Sequence, residues 1–427
     1  MKKAIGLALI TTILSGCEST DDANNDINHK GTPPQAANVI DTAVSEGELH
    51  FAIAAVGDKS GQLWSHAAGY RDAEKTSLAA TDNVIAIASM TKLITTIGAL
   101  QLVEKGRLDL DTPISTYVPE LNQLQVLRGF DATGKPIFEN ANRAPTAREL
   151  MTHTAGYVYE MWNANFKKAA ELGVTEGFTT ALNNNFTNFL LAEPLAFQPG
   201  TKWEYGINTD LLGFIIERVS GESLSVYFDR QIFTPLRMED TFFEFPREKM
   251  NRSVVIMDRV GGELTESSLY QPVPMERGSM ADYSGGGGLY STVADYGRVL
   301  QMLLNEGVLD AEILLNPETV ASMFQNNIAD IQLETMETSM PAWSNTANLS
   351  FGHPATFGLG LLLHYEGIEG GRRANSGSWA GIFNSYYWVD AESETYGIFG
   401  TQRLPFFDEA SVKTFLKLEQ AVYSQNP

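Results

Sequence analysis

The pattern of apolar and polar positions predicts antiparallel strands near the start of the folded domain. Residues 49–56 and 62–70 form two apolar-rich runs, separated by G-D-K-S-G at 57–61. Two such runs joined by a short glycine-containing segment are typical of a β-hairpin. An amphipathic pattern over 36–46, ended by Gly47, predicts a helix before this hairpin.

Helical periodicity dominates the middle of the chain, where Pro-, Gly- and Asn-rich connections separate the periodic segments. The predicted helices cover 89–105, 209–219, 223–233, about 289–305 and 407–423. Strand-like apolar runs with flanking turn residues return near the C-terminus, at 358–364, 382–389 and 396–401.

Strands at both ends with helices between them predict an α+β fold. We expect a central antiparallel sheet formed from both chain ends, flanked by helices, with an inserted mainly helical subdomain. The sheet part would comprise about 39–95 and 285–425, and the helical part about 96–284. No internal repeat is visible in the sequence.

The N-terminus has the features of an exported lipoprotein. Two lysines follow Met1, and the apolar run over 4–14 is too short to span a bilayer stably. The sequence L-S-G-C at 14–17 resembles the lipobox of bacterial lipoproteins, in which cleavage precedes a cysteine that is then lipid-modified. We expect a signal peptide over 1–16, a lipidated Cys17 and a flexible linker, together 17–38.

The expected location is the bacterial cell envelope, on the periplasmic side of the outer membrane. A plain signal peptide with an incidental cysteine is the alternative.

Composition excludes several classes of function. The 427 residues include 30 Lys+Arg and 52 Asp+Glu, which gives a formal charge of −22 and argues against nucleic acid binding. Cys17 is the single cysteine, so no internal disulfide or cysteine-rich metal cluster can form. The six histidines show no metal-ligand spacing, and we expect no cofactor.

One catalytic motif stands out, the S-x-x-K of Ser89 and Lys92 at the start of the helix over 89–105. Residues three apart on a helix share a face, so Lys92 should lie beside the Ser89 hydroxyl. A desolvated amine can be neutral and accept the serine proton, and the N–H groups of a helix N-terminus can stabilise an oxyanion. Ser89 as a simple helix cap with a solvated Lys92 is the alternative.

Other motifs are missing or weak. No G-x-S-x-G, H-E-x-x-H or Walker-type sequence occurs. Tyr205 on its own is compatible with a packed aromatic residue before a helix. Residues 376–381 (S-G-S-W-A-G) precede the predicted strand over 382–389, where small residues would let a ligand approach the backbone edge, although a simple turn fits equally well.

Taken together and in this order, Ser89-x-x-Lys92, Tyr205 and W-A-G at 379–381 resemble the serine β-lactamase/penicillin-binding-protein superfamily. Within it, the chain looks most similar to the class C-like carboxylesterases of family VIII. Supporting similarities are M-T-H-T-A-G at 151–156, D-L-L-G at 210–213 and G-G-L-Y-S-T at 287–292. The resemblance covers roughly residues 39–425 and implies a β-lactamase/transpeptidase-like fold.

The resemblance also implies roles for individual residues. Ser89 would be the acylated nucleophile, Lys92 its activating partner and Tyr205 a proton shuttle. The backbone N–H groups of Ser89 and Ile382 would form the oxyanion hole. Trp379, Ala380 and Gly381 would line the substrate site, with Tyr157 or Tyr159 as further lining residues.

Two departures from the superfamily pattern bear on the substrate. The asparagine of the β-lactamase Y-x-N motif is replaced by Ile207, and Asn208 comes one position later. Trp379 stands where the K-[ST]-G triplet has a lysine that pairs with a substrate carboxylate, although Arg372 and Arg373 nearby could supply a substitute charge.

These features favour a carboxylesterase that acts on small or medium acyl esters. The alternatives are a D-amino-acid peptidase, weak β-lactamase or acyltransferase acting on cell-envelope or amide substrates, or a non-catalytic envelope-binding protein.

Overall fold

The computed structural model describes residues 34–183 and 185–424. The predicted signal peptide over 1–16, the predicted lipidation site Cys17 and most of the predicted linker over 17–38 lie outside the described residues. The first helix begins at Pro34, so residues 34–38 are helical and do not belong to the linker. Proline is well tolerated in the first turn of a helix, which allows this earlier start.

The α-helices of the described residues are α1 (Pro34–Ser45), α2 (Thr91–Glu104), α3 (Ala147–Met151), α4 (Ala164–Glu171), α5 (Phe178–Asn183), α6 (Phe186–Ala192), α7 (Asn208–Ser220), α8 (Leu224–Phe228), α9 (Val293–Leu304), α10 (Pro317–Met323) and α11 (Glu409–Tyr423). None of the helices in the described ranges combines the length and the apolar character needed to cross a bilayer.

The strands are β1 (Phe51–Asp58), β2 (Gly61–Gly69), β3 (Ile85–Ala86), β4 (Gln125–Phe130), β5 (Pro136–Asn140), β6 (Met257–Val260), β7 (Glu263–Glu266), β8 (Tyr290–Ser291), β9 (Val308–Leu309), β10 (Glu312–Ile313), β11 (Thr356–Phe357), β12 (Leu362–His364), β13 (Ser376–Gly381), β14 (Ser385–Asp390), β15 (Thr395–Gly400) and β16 (Arg403–Leu404).

The central sheet has seven strands in the order β11-β12-β13-β14-β15-β1-β2. Each neighbouring pair is antiparallel. The N-terminal hairpin of β1 and β2 joins the C-terminal strands through β15, where Ile53 pairs with Gly400. The predicted α+β architecture, with a sheet built from both chain ends, is therefore confirmed.

Alternate side chains of β14 pack against helices on opposite faces of this sheet. The rings of Tyr386 and Trp388 lie 4.8 and 5.8 Å from the ring of Phe415 in α11. Tyr387, between them, lies 5.3 Å from Tyr296 in α9. Because successive strand residues point to opposite faces, α11 covers one face of the sheet and α9 covers the other.

Helix α2 runs through the interior of the molecule. All its residues from Thr91 to Leu102 are buried, and α7 packs along it. A helix without a separate polar face is expected when protein packs against all of its sides. Within the S-x-x-K motif, Lys92 is therefore buried, whereas Ser89 is partly exposed.

The segment before the predicted strand over 382–389 differs from the sequence-based expectation. Residues 376–381 form strand β13 themselves, Ile382 lies in a turn, and β14 begins at Ser385. Small residues occupy β13 because its neighbours approach closely. A Cβ on Gly377 would lie 3.0 Å from the Leu361 side chain and 3.1 Å from that of Phe324.

Candidate active site

Ser89 occupies a sharp turn at the N-terminal end of α2. A 3₁₀ turn over Ala88–Met90 leads directly into the helix. Ala88 has a φ of 44°, a left-handed conformation that costs energy for a residue with a Cβ and that is often found at functional sites. The turn exposes part of Ser89 while its neighbours Ala88 and Met90 stay buried. Ser89 is thus the accessible hydroxyl of an otherwise buried segment.

Lys92 lies next to Ser89, as the spacing of three residues predicts. Its Nζ lies within hydrogen-bond distance of Ser89 Oγ at 3.3 Å and of the Tyr159 hydroxyl at 3.2 Å, and it donates to the carbonyl oxygen of Gly286 at 2.8 Å. The Lys92 residue is only 3% exposed. A buried amine in hydrogen-bond contact with a serine hydroxyl is the arrangement that nucleophilic catalysis requires.

Tyr205 and Trp379 join this pair from distant parts of the sequence. Nζ of Lys92 lies 4.7 Å from the ring centroid of Tyr205, and the indole Nε1 of Trp379 donates to the Tyr205 hydroxyl at 3.4 Å. Among the described residues, no hydrogen bond joins the Tyr205 hydroxyl to Ser89 or Lys92. The structure therefore places Tyr205 in the site, and its role as a proton shuttle stays a prediction.

Strand β13 brings Ala380, Gly381 and the adjacent Ile382 towards the nucleophile. A Cβ on Gly381 would overlap the carbonyl oxygen of Ile87, two residues before Ser89, so only glycine permits this approach. The backbone N–H groups of Ser89 and Ile382 donate to no carbonyl group of the described residues. This arrangement is compatible with the predicted oxyanion hole.

Tyr159, which the sequence analysis proposed as a lining residue, forms a buried network with Asp210, which it did not assign to the site. Asp210, in the first turn of α7, is 0% exposed. Its carboxylate accepts hydrogen bonds from Ser284 Oγ at 2.5 Å, from the backbone N–H of Gly286 at 2.9 Å and from the Tyr159 hydroxyl at 3.2 Å. Asp210 therefore touches two of the three groups that bind Lys92 Nζ.

The protonation of this network follows from its burial. Burial, and then the Asp210 carboxylate, raise the pKa of Tyr159 well above its ordinary value, so the hydroxyl keeps its proton. Burial raises the pKa of Asp210, whereas Lys92 and the hydrogen bonds from Ser284, Gly286 and Tyr159 oppose that rise. In the sequence, Asp210 stands out only as the first residue of the D-L-L-G similarity at 210–213, which gives it no role in the site.

His153 packs against the two aromatic residues of the site. Its ring centroid lies 4.7 Å from that of Tyr205 and 6.2 Å from that of Trp379. Burial, and then the charge of Lys92, lower the pKa of His153 well below its ordinary value, so the ring is neutral. Nδ1 accepts from the side-chain amide of Asn208 at 3.0 Å, and that amide also donates to the Tyr157 carbonyl at 2.8 Å.

Asn208 therefore supports His153, which packs against Tyr205 and Trp379. Its NH₂ group is used in two hydrogen bonds to the protein, one to His153 and one to the Tyr157 carbonyl. The Tyr157 side chain is fully buried and takes no part in the network around Lys92, in contrast to Tyr159.

Aromatic side chains surround the polar centre. The ring of Trp162 lies 5.4 Å from Tyr205, and that of Phe178 lies 4.9 Å from Tyr159. Trp162 and Phe178 are both partly exposed. They give the site an apolar border on the side of the helical part, which suits an uncharged acyl group.

The two arginines that could have replaced the missing lysine do not reach the site. Arg372 is only 1% exposed and lies against α11. There the Glu419 carboxylate accepts two hydrogen bonds from its guanidinium, at 2.7 and 2.8 Å. Arg373 is exposed ahead of β13. Within the described ranges, no group of three or more His, Cys, Asp or Glu side chains is arranged to hold a metal ion.

Comparison with known proteins agrees with the fold. The family described as Beta-lactamase matches residues 36–421. An acyltransferase of Penicillium decumbens, calJ, is 31% identical over 354 residues, which cover 81% of this chain and 82% of the relative. A lovastatin esterase of Penicillium rubens is 30% identical over 370 residues, 83% of this chain and 89% of the relative.

Among solved structures, the unliganded selenomethionyl simvastatin synthase of Aspergillus terreus superposes with a TM-score of 0.78. It is 26% identical, and the match covers 92% of this chain and 99% of the synthase. The predicted β-lactamase/transpeptidase-like fold is thereby confirmed. The relatives are enzymes that either hydrolyse esters or transfer acyl groups, as their names state.

Proposed function

Because the chain belongs to the beta-lactamase family, we propose that it is a carboxylesterase that forms an acyl-enzyme on Ser89. The observation that carries this proposal is the contact between the accessible Ser89 hydroxyl and the buried Lys92 amine at 3.3 Å. An oxygen nucleophile with an adjacent base is the minimum machinery for acyl transfer, and it needs no cofactor.

In the proposed reaction the Lys92 amine accepts the Ser89 proton while Oγ attacks the ester carbonyl carbon. The backbone N–H groups of Ser89 and Ile382 stabilise the oxyanion that forms. Collapse of this intermediate breaks the bond to the alkoxy oxygen, which takes a proton, relayed by Tyr205, and leaves as the alcohol. Water then attacks the acyl-enzyme, releases the carboxylic acid and returns a proton to Ser89.

The proposed substrates are neutral esters with a small or medium acyl group. Trp379 offers an apolar face and one N–H donor where a lysine would bind a carboxylate. Arg372, bound to Glu419, does not replace that charge. Trp162 and Phe178 provide apolar surface close to Tyr205 and Tyr159.

A matched pair of esters tests the proposal. p-Nitrophenyl butyrate and mono-p-nitrophenyl succinate share the leaving group and the acyl chain length, but only the succinate carries a negative charge. We expect the neutral ester to have a kcat/KM higher by about tenfold or more, the worth of one charge-assisted hydrogen bond. Equal values would contradict the assignment of Trp379 to substrate selection.

The nucleophile is tested in the same assay. Ser89→Ala is expected to lose ester turnover and covalent labelling by a fluorophosphonate probe. Labelling that persists in Ser89→Ala would contradict the acyl-enzyme. A wild-type protein that is inert towards ester, amide and β-lactam panels would instead favour the non-catalytic envelope-binding protein.

Acyl transfer to an alcohol is the second candidate function. It is favoured by the acyltransferase of Penicillium decumbens, whose match spans 81% of this chain. An acyl-enzyme attacked by an alcohol in place of water gives a new ester. Adding butanol to the p-nitrophenyl butyrate assay and measuring butyl butyrate against butyrate separates the two activities.

D-amino-acid peptidase and β-lactamase activity form the remaining enzymatic alternative. Both act on substrates with a carboxylate, for which the site residues in contact with Trp379 offer aromatic rings and no cation. Labelling by a fluorescent penicillin at a rate comparable to ester turnover would favour this alternative.

We further propose that the protein is anchored in the bacterial outer membrane, facing the periplasm, through lipid on Cys17. The L-S-G-C sequence at 14–17 supports this localisation. Expressed in a bacterium, the wild type should incorporate labelled palmitate and fractionate with membranes, whereas Cys17→Ser should do neither and keep its esterase activity. Equal labelling of both proteins would contradict the anchor.

A further inference from the structure

The Lys92 amine is surrounded by oxygen atoms whose hydrogen-bond roles can be worked out one by one. Nζ lies 3.3 Å from Ser89 Oγ, 3.2 Å from the Tyr159 hydroxyl oxygen and 2.8 Å from the carbonyl oxygen of Gly286. To act as a base, the neutral amine must keep its lone pair for Ser89 and place its two N–H groups on the other two oxygens. The Gly286 carbonyl can only accept, so it binds one N–H.

The Tyr159 hydroxyl could either donate to Lys92 or accept from it, and these two directions have opposite consequences. A hydroxyl that donates would occupy the lone pair and leave Lys92 unable to take the Ser89 proton. A hydroxyl that accepts binds the second N–H and leaves the lone pair facing Ser89.

Asp210 decides the direction. One of its oxygens, Oδ1, accepts from Ser284 Oγ and from the Gly286 N–H, and the other, Oδ2, faces the Tyr159 hydroxyl at 3.2 Å. A carboxylate can only accept, so the Tyr159 hydrogen is directed to Asp210 and its oxygen is left as an acceptor for Lys92. The Ser284 hydroxyl, the Gly286 N–H and the Tyr159 hydroxyl all donate to Asp210, and these hydrogen bonds stabilise its carboxylate form.

We infer that Asp210 is a positioning residue that acts through Tyr159 to keep the Lys92 lone pair directed at Ser89. This inference rests on the proposed acyl-enzyme mechanism. The same carboxylate also holds the Gly286 N–H, and the carbonyl of Gly286 is the other acceptor of Lys92. Asp210 therefore fixes both of the hydrogen bonds that orient the amine.

The substitution Asp210→Asn reverses one hydrogen bond with little change in volume. The amide oxygen must remain with the Gly286 N–H, so the NH₂ group faces Tyr159 and donates to it. The Tyr159 hydrogen then turns to Lys92 and occupies the lone pair. The rate of acylation, measured as the burst of p-nitrophenol and as fluorophosphonate labelling, should fall about 100-fold, the scale of general-base catalysis, with the apparent substrate affinity unchanged.

A matched control is the same substitution at another buried carboxylate. Asp295, in the first turn of α9, also accepts from a backbone N–H and a hydroxyl, those of Asp240 and Thr241, and makes no bond to the Lys92 network. Asp295→Asn should keep the wild-type acylation rate. An equal loss in both variants would show a general effect of the substitution and would overturn the inference.

A double-mutant cycle with Tyr159→Phe distinguishes positioning from mere structural support. Because Asp210 is inferred to act through the Tyr159 hydroxyl, Asp210→Asn should slow acylation little further once that hydroxyl is gone. Effects that multiply independently would overturn the inference, as would wild-type acylation in Asp210→Asn.

Tyr159→Phe also decides the question if Asp210→Asn does not fold. It keeps the ring contact with Phe178, whose centroid lies 4.9 Å away. Tyr159→Phe should acylate at least about tenfold more slowly, and a wild-type rate would overturn the inference. Failure of the mechanism itself is recognised separately, since it would leave the wild-type protein unlabelled.

Discussion

The indole N–H of Trp379 donates to the hydroxyl of Tyr205 at 3.4 Å, and the two rings lie 4.9 Å apart. Trp379 occupies the place where a lysine is expected for a carboxylate-bearing substrate. In this protein that position holds an aromatic residue that binds the candidate proton shuttle. Tryptophan in place of lysine therefore bears both on which substrates fit and on the hydrogen bonding of Tyr205.

Trp379→Phe should lower kcat/KM for p-nitrophenyl butyrate by about 3- to 10-fold. Phenylalanine keeps an apolar face and removes the N–H donor to Tyr205, and a neutral hydrogen bond contributes about 0.5–1.5 kcal/mol. The matched control is Trp162→Phe, because the Trp162 ring also packs on Tyr205 but its N–H donates to Ser344. If kcat/KM fell equally in the two variants, the loss would be due to ring packing, and a role for the Trp379 N–H donor would be contradicted.

Gly286→Ala should abolish most of the activity. A Cβ at this position would lie 2.6 Å from Cγ of Asp210, so either the carboxylate or the Gly286 peptide must move. The Gly286 carbonyl accepts directly from Lys92, and the carboxylate accepts from Tyr159, whose hydroxyl contacts Lys92. We expect acylation to fall by about 100-fold or more, as for loss of a general base.

Gly287→Ala is the control for that variant. The nearest atoms to a Cβ there lie 3.8 and 3.9 Å away, which is ordinary van der Waals contact. Near-wild-type burst kinetics and thermal stability are expected. If Gly286→Ala retained the wild-type burst rate, the proposed arrangement around Asp210 would be wrong.

Periodicity and short motifs predicted the framework of the site well. The hairpin, the helix that follows Ser89 and carries Lys92, and the C-terminal helix all follow from spacing that is local in the sequence. The contact between Ser89 and Lys92 follows from the same rule, because three residues along a helix bring two side chains together.

Contacts between distant segments could not be derived in this way. Tyr159 and Asp210 are 51 positions apart, and Asp210 and Gly286 are 76 apart, so only the folded chain brings them to Lys92. Strand β13 was missed because its small residues lack the β-branched and aromatic character of typical strands. Its conformation is set by pairing with β12 and β14.

The stability of the fold should depend on Asp295 in mildly acidic solution. Burial raises the pKa of Asp295 to about 6. The folded state therefore holds a proton that the unfolded chain releases near pH 4, and this contribution to stability is lost as the pH rises from about 4 to about 6. Relative to Asp295→Asn, the wild type should lose about 3 kcal/mol of unfolding free energy across that range.

Urea unfolding of both proteins between pH 4 and 7 measures this difference. Asp330→Asn, at an exposed position, is the control and should follow the wild type at every pH. A constant difference between wild type and Asp295→Asn across the range would contradict the prediction.

The buried pair of Arg372 and Glu419 should be a major contributor to stability with no part in catalysis. Glu419 accepts from the Arg372 backbone N–H at 2.9 Å, from Nε at 2.8 Å and from Nη2 at 2.7 Å, and its side chain is 1% exposed. Glu419→Gln would leave the guanidinium charge uncompensated and place an NH₂ group against one of its N–H donors. The free energy of unfolding should fall by about 3–5 kcal/mol, the cost of breaking a buried ion pair.

An exposed ion pair provides the comparison for this variant. Lys59 and Glu394 are 2.9 Å apart, with side chains 38% and 56% exposed, so Glu394→Gln should cost less than about 1 kcal/mol. Below its unfolding transition, Glu419→Gln should retain the kcat/KM of the wild type, because Arg372 holds α11 against the sheet and does not contact the site. A selective loss of activity on anionic esters in a folded Glu419→Gln protein would instead link the Arg372 charge to substrate binding, and the assignment of substrate preference to Trp379 alone would then fail.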